Sequence, residues 1–437
     1  MNRMKKIIAL ILAAVMVLSL TACSGGAPTD SLTDNGTTQG STQDTSESTS
    51  TPVAPGKKGS IEYWTVFTGA DGSSMQAIVD AYNATNPDYT VNHRAIEAND
   101  LYLKMPLAIQ SGQDVPDLVI NHVERLRIFK DNGFLIDLTP YLEASGIKAE
   151  NYNPKAWAMS DIDGGHYGVP LDIHSYILYV NMDLYEKYGN GALDDGVLTW
   201  DEVRASADAC VKDGIIPMGL AWLRVKFLAA YAQLGGTLSS DGVTPDFNND
   251  KAKKVLQNWI DLYQAGYTQK DGDAPWELFL GGKMLYCPEG QWMWNNVKES
   301  GLNAKMFDYP VFDPKIKGNW TSSHQFVIPK DDSRPAEELK AALDFVNYVG
   351  NNGLEWAKAG QTPAHNSIKN IPEFKEMPQA FLANENEELK IYDYKYYGYA
   401  VESLDKVLGE ILFGRMTIEE GLNQAVQETK DRIETEG

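Results

Sequence analysis

The chain has 437 residues, 43% of them hydrophobic and 22% charged, which is the composition of a soluble protein long enough for two lobes with separate cores. Its 60 acidic against 38 basic side chains give a formal net charge of −22. That excess argues against nucleic acid and anionic lipid as binding surfaces, because both need a basic face.

Arg3, Lys5 and Lys6 precede an uncharged apolar run from Ile7 to Leu20. This is a positive n-region and an h-region too short to span a bilayer comfortably. Leu20-Thr21-Ala22-Cys23 follows and resembles the lipobox of bacterial lipoproteins. The resemblance implies that residues 1–22 are a signal peptide removed on export. Cys23 would then carry the lipid and hold the chain on the outer face of the cell membrane. The alternative is an ordinary secretory signal with a chance cysteine. From Ser24 to about Gly59 the chain is Ser, Thr, Gly, Asp, Gln and Pro with almost no large apolar residue. Such a segment cannot offset its ordering entropy and reads as a disordered stalk over 23–59, with a reach on the order of 35 Å. No second long uncharged apolar stretch follows. The other two cysteines, Cys210 and Cys287, lack metal-type spacing and read as buried small apolar residues, although the compartment permits a disulfide.

Beyond the stalk, Ile61 to Phe67 reads as a strand, followed by a helix capped by Ser73 or Ser74 with Met75, Ile78, Val79 and Tyr82 on one face. Tyr89 to Ile96 is a strand, Leu101 to Gln110 a helix, Asp117 to Ile120 a short buried strand and Val123 to Lys130 a helix. This alternation predicts an α/β fold with a largely parallel sheet. Tyr167 to Leu171 and Tyr176 to Asn181 are extended, and Thr199-x-x-Glu202 is a capping box for a helix through Val211. Ile216 to Ala221, Lys283 to Cys287 and Gln325 to Ile328 are strand-like, with helices over 224–234 and 251–265. After Pro335 the pattern is almost entirely helical.

Several local patterns in this order resemble the extracellular solute-binding proteins of carbohydrate ABC importers, the family that includes maltose-binding protein. They are Trp64 to Phe67 with its helix; Ser111-Gly112 with Pro116-Asp117-Leu118-Val119; Tyr167-Gly168-Val169-Pro170 with Leu178-Tyr179-Val180-Asn181; Phe279, Gly282, Lys283 and Leu285 with Gly290 and Trp292; and Gly414 to Leu422. The resemblance implies a two-lobed periplasmic-binding-protein-like fold, two α/β lobes joined by a multi-segment hinge. Lobe 1 would hold 60–171 plus 326–368, and lobe 2 would hold 175–322 plus 375–437. It also implies a monomer that binds a sugar, by preference an oligosaccharide, in the cleft. The ligand would pass to transmembrane permease subunits of an ABC transporter, with no cofactor and no catalysis.

In open α/β sheets ligands bind beyond the carboxyl ends of strands, and a sugar needs flat aromatic platforms and paired acceptors and donors. The candidates at such positions are Trp64 and Phe67, Asn121 and His122, Asp172 and His174, Trp222, Glu289 and Trp292, Trp320 and His324, and Gln361 and His365. Trp292 matches the aromatic position that stacks on sugar in the family. Trp64 reads equally well as core, and Asn121 as a helix cap; Trp200, Trp259 and Trp356 read as core.

No GxSxG, HExxH, P-loop or GxGxxG occurs, so an enzyme is not expected. His122, His174, His324 and His365 all fall in the predicted cleft, but their spacing carries no metal signature, so hydrogen bonds to hydroxyls are preferred over a metal site. A candidate set without Arg favours a neutral polyol over a sugar phosphate, while a polyamine would suit the acids and aromatic faces.

Overall fold

The computed structural model describes residues 57–436 apart from 317, 384–388 and 391. Cys23, the signal and nearly all of the stalk lie outside the described residues. Among the described residues no helix is long and apolar enough to cross a membrane.

Two sheets organise the chain, each with its own core. The first has strand order β2-β1-β3-β12-β6, from Gly59–Thr65 (β1), Tyr89–Ala95 (β2), Leu118–His122 (β3), Val169–Pro170 (β6) and His324–Val327 (β12). A short hairpin, Asp161–Ile162 (β4) with Gly165–His166 (β5), stands beside it. The second is built on Asp172–Asn181 (β7), ten residues buried without exception. Around β7 lie Ile216–Met218 (β8), Met284–Gly290 (β9), Ala304–Phe307 (β10), Asn319–Ser322 (β11), Thr362–Pro363 (β13) and Leu389–Lys390 (β14). A strand covered on both faces reads as a continuous apolar run, which is why Tyr176 to Val180 stood out in the sequence.

The expectation of a largely parallel sheet holds for β1 with β2 and β3, and in the second sheet only for the short pairings of β8 with β9 and β11 with β14. β12 runs antiparallel to both β3 and β6, and β7 runs antiparallel to β9, β10, β11 and β13. The physical reason is the crossover. The chain leaves the first sheet at Pro170 and enters the second at Asp172, and it returns between Ser322 and His324. Single residues, Leu171 and Ser323, separate the sheets, so the returning strand must run against its neighbours.

The first helix, Ala70–Ala84 (α1), begins three residues before the predicted Ser73 cap. Gly69 occupies the cap position, with no side-chain bond from it. The Gly72 N–H is shared between Asp71 Oδ1 at 2.9 Å and the Gly69 carbonyl at 3.0 Å, so the donor is satisfied without a serine cap. Ala98–Ser111 (α2) is capped by Glu97, and Leu126–Asp131 (α3) follows a 3-10 turn after β3. The predicted Thr199/Glu202 capping box opens Trp200–Lys212 (α4) with both reciprocal bonds present. Leu223–Gln233 (α5), Asp250–Gln264 (α6), Ala336–Asn351 (α7) and Leu354–Lys358 (α8) complete the middle of the chain. The C-terminal helical stretch is two helices, Tyr397–Leu412 (α9) and Ile418–Glu436 (α10).

The largest core lies around β7 and contains Trp200, Trp259 and Cys210, while Phe67 and Trp356 sit in the core of the first sheet. Cys287 belongs to a further cluster with Phe279 and Met284, and both Cys210 and Cys287 are free, buried thiols.

The two halves also meet along one edge. Arg125 donates to Glu402 of α9 at 2.9 Å, Glu124 accepts from Ser322 at 2.7 Å, and Lys395 lies 3.6 Å from Asp131. Burial pushes the Glu402 carboxyl up, but the bonds from Arg432 and Arg125 outweigh it and hold the group below its usual 4.5. A carboxylate depressed in the folded state contributes stability that is present above its unfolded value and lost as pH falls through the lower folded value. Glu402→Gln is therefore expected to lower the unfolding free energy at pH 6–7. The gap from wild type should close as pH drops below about 4.5 in denaturant titrations. A gap independent of pH would show that this pair does not carry the effect.

Candidate ligand-binding site at the sheet crossover

Side chains alternate along a strand, so Asp172 and His174 share one face at the start of β7. Pairing then brings the other partners to them. His174 stands opposite Ser322 in β11, and His324 stands opposite His122 across β12 and β3. Four residues from three segments widely separated in sequence thus meet where the chain crosses between sheets.

Asp172 is fully buried and saturated with donors. Its Oδ1 accepts from the His324 backbone N–H at 3.1 Å and from His174 Nδ1 at 3.0 Å. Its Oδ2 accepts from His324 Nδ1 and from the indole N–H of Trp356, both at 2.8 Å. Burial alone would raise its pKa. The interactions with His324 and His174 outweigh that and hold the carboxyl far below the usual carboxylate range. His174 is pushed down to about 4, first by burial and then by His324. Burial, with the two neighbouring imidazoles, also holds His122 well below its usual value. His122 Nδ1 is hydrogen-bonded to Tyr102 Oη, and its backbone N–H also donates to that oxygen at 3.3 Å.

Aromatic rings surround this cluster. Phe67 meets His324 edge-on at 4.9 Å and Trp356 at 4.6 Å. Trp292 meets His174 edge-on at 5.5 Å, and Trp222 meets Trp292 at 6.2 Å. Trp222 is 54% exposed and adopts φ +49°, a left-handed backbone that costs a bulky residue roughly 1–2 kcal/mol. An exposed, strained indole continuous with a half-buried one forms an aromatic ledge leading to the histidines. Gly290 makes that ledge possible, since a Cβ there would come within 2.2 Å of the Trp292 ring. Beside Phe67, at the ends of β1 and β2, lies an open recess of about 430 Å³ lined by Thr68, Ser73, Gln76 and His93 among others.

The other predicted residues take different positions. Trp320 is 7% exposed, packs near His174 and donates its indole N–H to Tyr397 Oη at 3.3 Å. Glu289 is buried on β9, its pKa raised by burial against the opposing effect of Lys226. Burial pushes Lys226 down to about 8, and its ammonium donates to Tyr176 Oη at 3.0 Å. Asn121 is fully buried, and neither atom of its amide has a partner among the described residues; Gln361 Oε1 is likewise unpaired. Trp64 is a core residue, packed among Leu101, Met105 and Val119, with Arg94 over its ring. His365 lies against Tyr152 and bonds Ser367 through Nδ1 at 2.7 Å, so its contacts are in the first half and not with the other three histidines.

Residues 68–355 match the family model described as bacterial extracellular solute-binding protein. The chain belongs to that family. A Brucella abortus (strain 2308) binding protein is 26% identical over 297 residues, covering 64% of this chain and 70% of its own length. The maltodextrin-binding protein MdxE of Bacillus subtilis is 24% identical over 284 residues, covering 61% of this chain and 64% of its own. Among solved structures, the GacH receptor of Streptomyces glaucescens, determined unliganded and with acarbose, superposes with a TM-score of 0.75 at 17% identity, over 86% of this chain and 98% of GacH. Maltose-bound T. maritima MalE3 gives 0.73 at 20% identity, over 85% and 99%. At these identities the structural matches establish the fold, the two-lobed one expected from the sequence.

For this solute-binding protein, sequence reasoning missed three residues that build the site. Trp356 reads as core by its neighbours and is buried, yet its N–H is one of the four donors to Asp172. Tyr102 lies on a helix face with no motif. Gln291 ties β7 to the returning loop, accepting from the Ser175 N–H at 3.2 Å and donating to Thr362 Oγ1 at 3.2 Å. Only position beside Trp292 could have singled it out. Trp356→Phe removes one hydrogen bond to a buried charge. It is expected to cost about 1.5–3 kcal/mol, read as a lower denaturant midpoint at unchanged m-value.

Proposed function

We propose that this protein is a carbohydrate receptor, by preference for an oligosaccharide, that serves an ABC importer. It would be held on the outer face of the cell membrane by a lipid on Cys23 and hand its ligand to the transmembrane permease subunits by cleft closure. Lobe 1 is taken as 60–171 with 326–368, and lobe 2 as 175–322 with 375–437. The observation that carries the reading is the aromatic ledge of Trp222 and Trp292 running to the buried Asp172–histidine cluster. Indole faces suit the C–H faces of sugar rings, and imidazoles, here oriented by Asp172, suit hydroxyls. The maltodextrin named for MdxE and the acarbose and maltose named for GacH and MalE3 support the same ligand class. Closure would be favoured by any solute that contacts both lobes in the closed form more than in the open one. The reading is of binding without turnover.

A thermal-shift screen of the purified chain against mono- and oligosaccharides, polyamines and sugar phosphates tests the ligand class. A ligand at 100 times its dissociation constant adds about 2.7 kcal/mol of stability, a shift of several degrees. A response confined to an amine or a sugar phosphate overturns the carbohydrate reading. With a responding glycan in hand, Trp292→Ala should abolish or greatly weaken binding in calorimetry while leaving unliganded melting close to wild type. Gly290→Ala should also weaken binding by displacing the Trp292 ring. Unchanged affinity in both variants would remove the ledge from the site.

A further inference from the structure

Three imidazoles converge at the crossover, each with one ring nitrogen engaged. The ring centroids of His174 and His324 are 4.2 Å apart, those of His122 and His324 4.8 Å, and those of His122 and His174 5.9 Å. One ring nitrogen from each lies within 4.8 Å of the other two. Asp172, an acceptor, takes Nδ1 of both His174 and His324, which fixes Nδ1 as the protonated nitrogen and leaves a lone pair on each Nε2. Tyr102 Oη engages Nδ1 of His122; metal binding would take the tautomer in which Nδ1 donates to that hydroxyl and Nε2 of the third ring carries the lone pair.

We propose that His122, His174 and His324 form a binding site for a first-row divalent transition metal, with Zn²⁺ the best match. Three neutral imidazoles, each oriented through its other nitrogen by a carboxylate or a hydroxyl, are the ligand and outer-partner pattern such ions take. Around tetrahedral zinc, with Zn–N of ~2.0–2.1 Å, neighbouring nitrogens stand roughly 3.4 Å apart, a separation small ring rotations bring within reach. The buried negative charge of Asp172 beside the three ligands offsets the charge of the ion. Calcium and magnesium are disfavoured, because they need oxygen ligands and the Asp172 oxygens are committed to donors. Three protein ligands leave a fourth position for water or a hydroxyl of the solute. His122 ends β3 of the first sheet and His174 starts β7 of the second, so the ion would also clasp the two sheets across the crossover.

The test uses the full chain, purified without a histidine tag, with metal alone and no solute, so it stands or falls apart from the transport reading. Calorimetry with Zn²⁺ should give one ion per chain, and Co²⁺ should give the intense visible absorption of a tetrahedral site. His122→Ala and His174→Ala should each weaken binding more than 100-fold, and Asp172→Asn by about 10–100-fold. One readout survives a variant that fails to fold. Co²⁺ on the wild-type chain should shift three ring N–H proton resonances strongly and leave those of His93, His166 and His365 without such shifts. Failure of the wild-type chain to take up one ion, uptake unaffected by the substitutions, or shifted resonances from the other histidines would each overturn the site.

Discussion

One buried carboxylate holds the crossover together. Asp172 receives four donors, from the backbone and side chain of His324, from His174 and from Trp356. They come from β7 of the second sheet, from the strand that returns to the first sheet, and from a helix of the first core. A buried charge is tolerable only when its lone pairs are filled with good geometry, and removing a partner leaves a heavy desolvation cost. The crossing strands are therefore not free to slide past one another, and the separation of the sheets to single residues at Leu171 and Ser323 follows from that. Ser323 adds a further tie by donating to the Asp172 carbonyl at 2.6 Å.

Polar groups are distributed differently elsewhere. The cores around β7 and β1 are built from apolar and aromatic side chains, whereas the crossover collects ionisable and amide groups. Asn121 is the sharpest case, a fully buried side-chain amide without partners among the described residues, in a strand with leucine, valine and isoleucine. An apolar residue there would leave no unpaired amide in the core. The left-handed backbone of Trp222 is a second local cost, one of strain.

Local signals carried through to the structure where they depended on neighbours in sequence. The Thr199/Glu202 capping box, the helix directly after Pro335 and the buried run at Tyr176 each formed as read, because capping and periodicity are decided within a turn or two of chain, while the nearly all-helical pattern expected beyond Pro335 is interrupted by β13 and β14. The start of α1 was misread because Asp71 and the Gly69 carbonyl, and not a serine, satisfy the donor there. The alternation of strands and helices gave the α/β class but not the direction of β12, which the crossover sets.

By itself the sequence determined the class of fold, the order of the elements, and the strand ends at which functional side chains collect. It also marked Asp172, His122, His174 and His324 individually as polar residues at such ends. Only the tertiary structure decided that these four meet while His365 and Trp64 pack elsewhere, and that Trp356 turns its N–H to the carboxylate. The reason is physical. Periodicity and capping are short-range and written in consecutive residues. The meeting of His122 with His324 depends on strand register between segments far apart in the chain, and no local preference encodes that register.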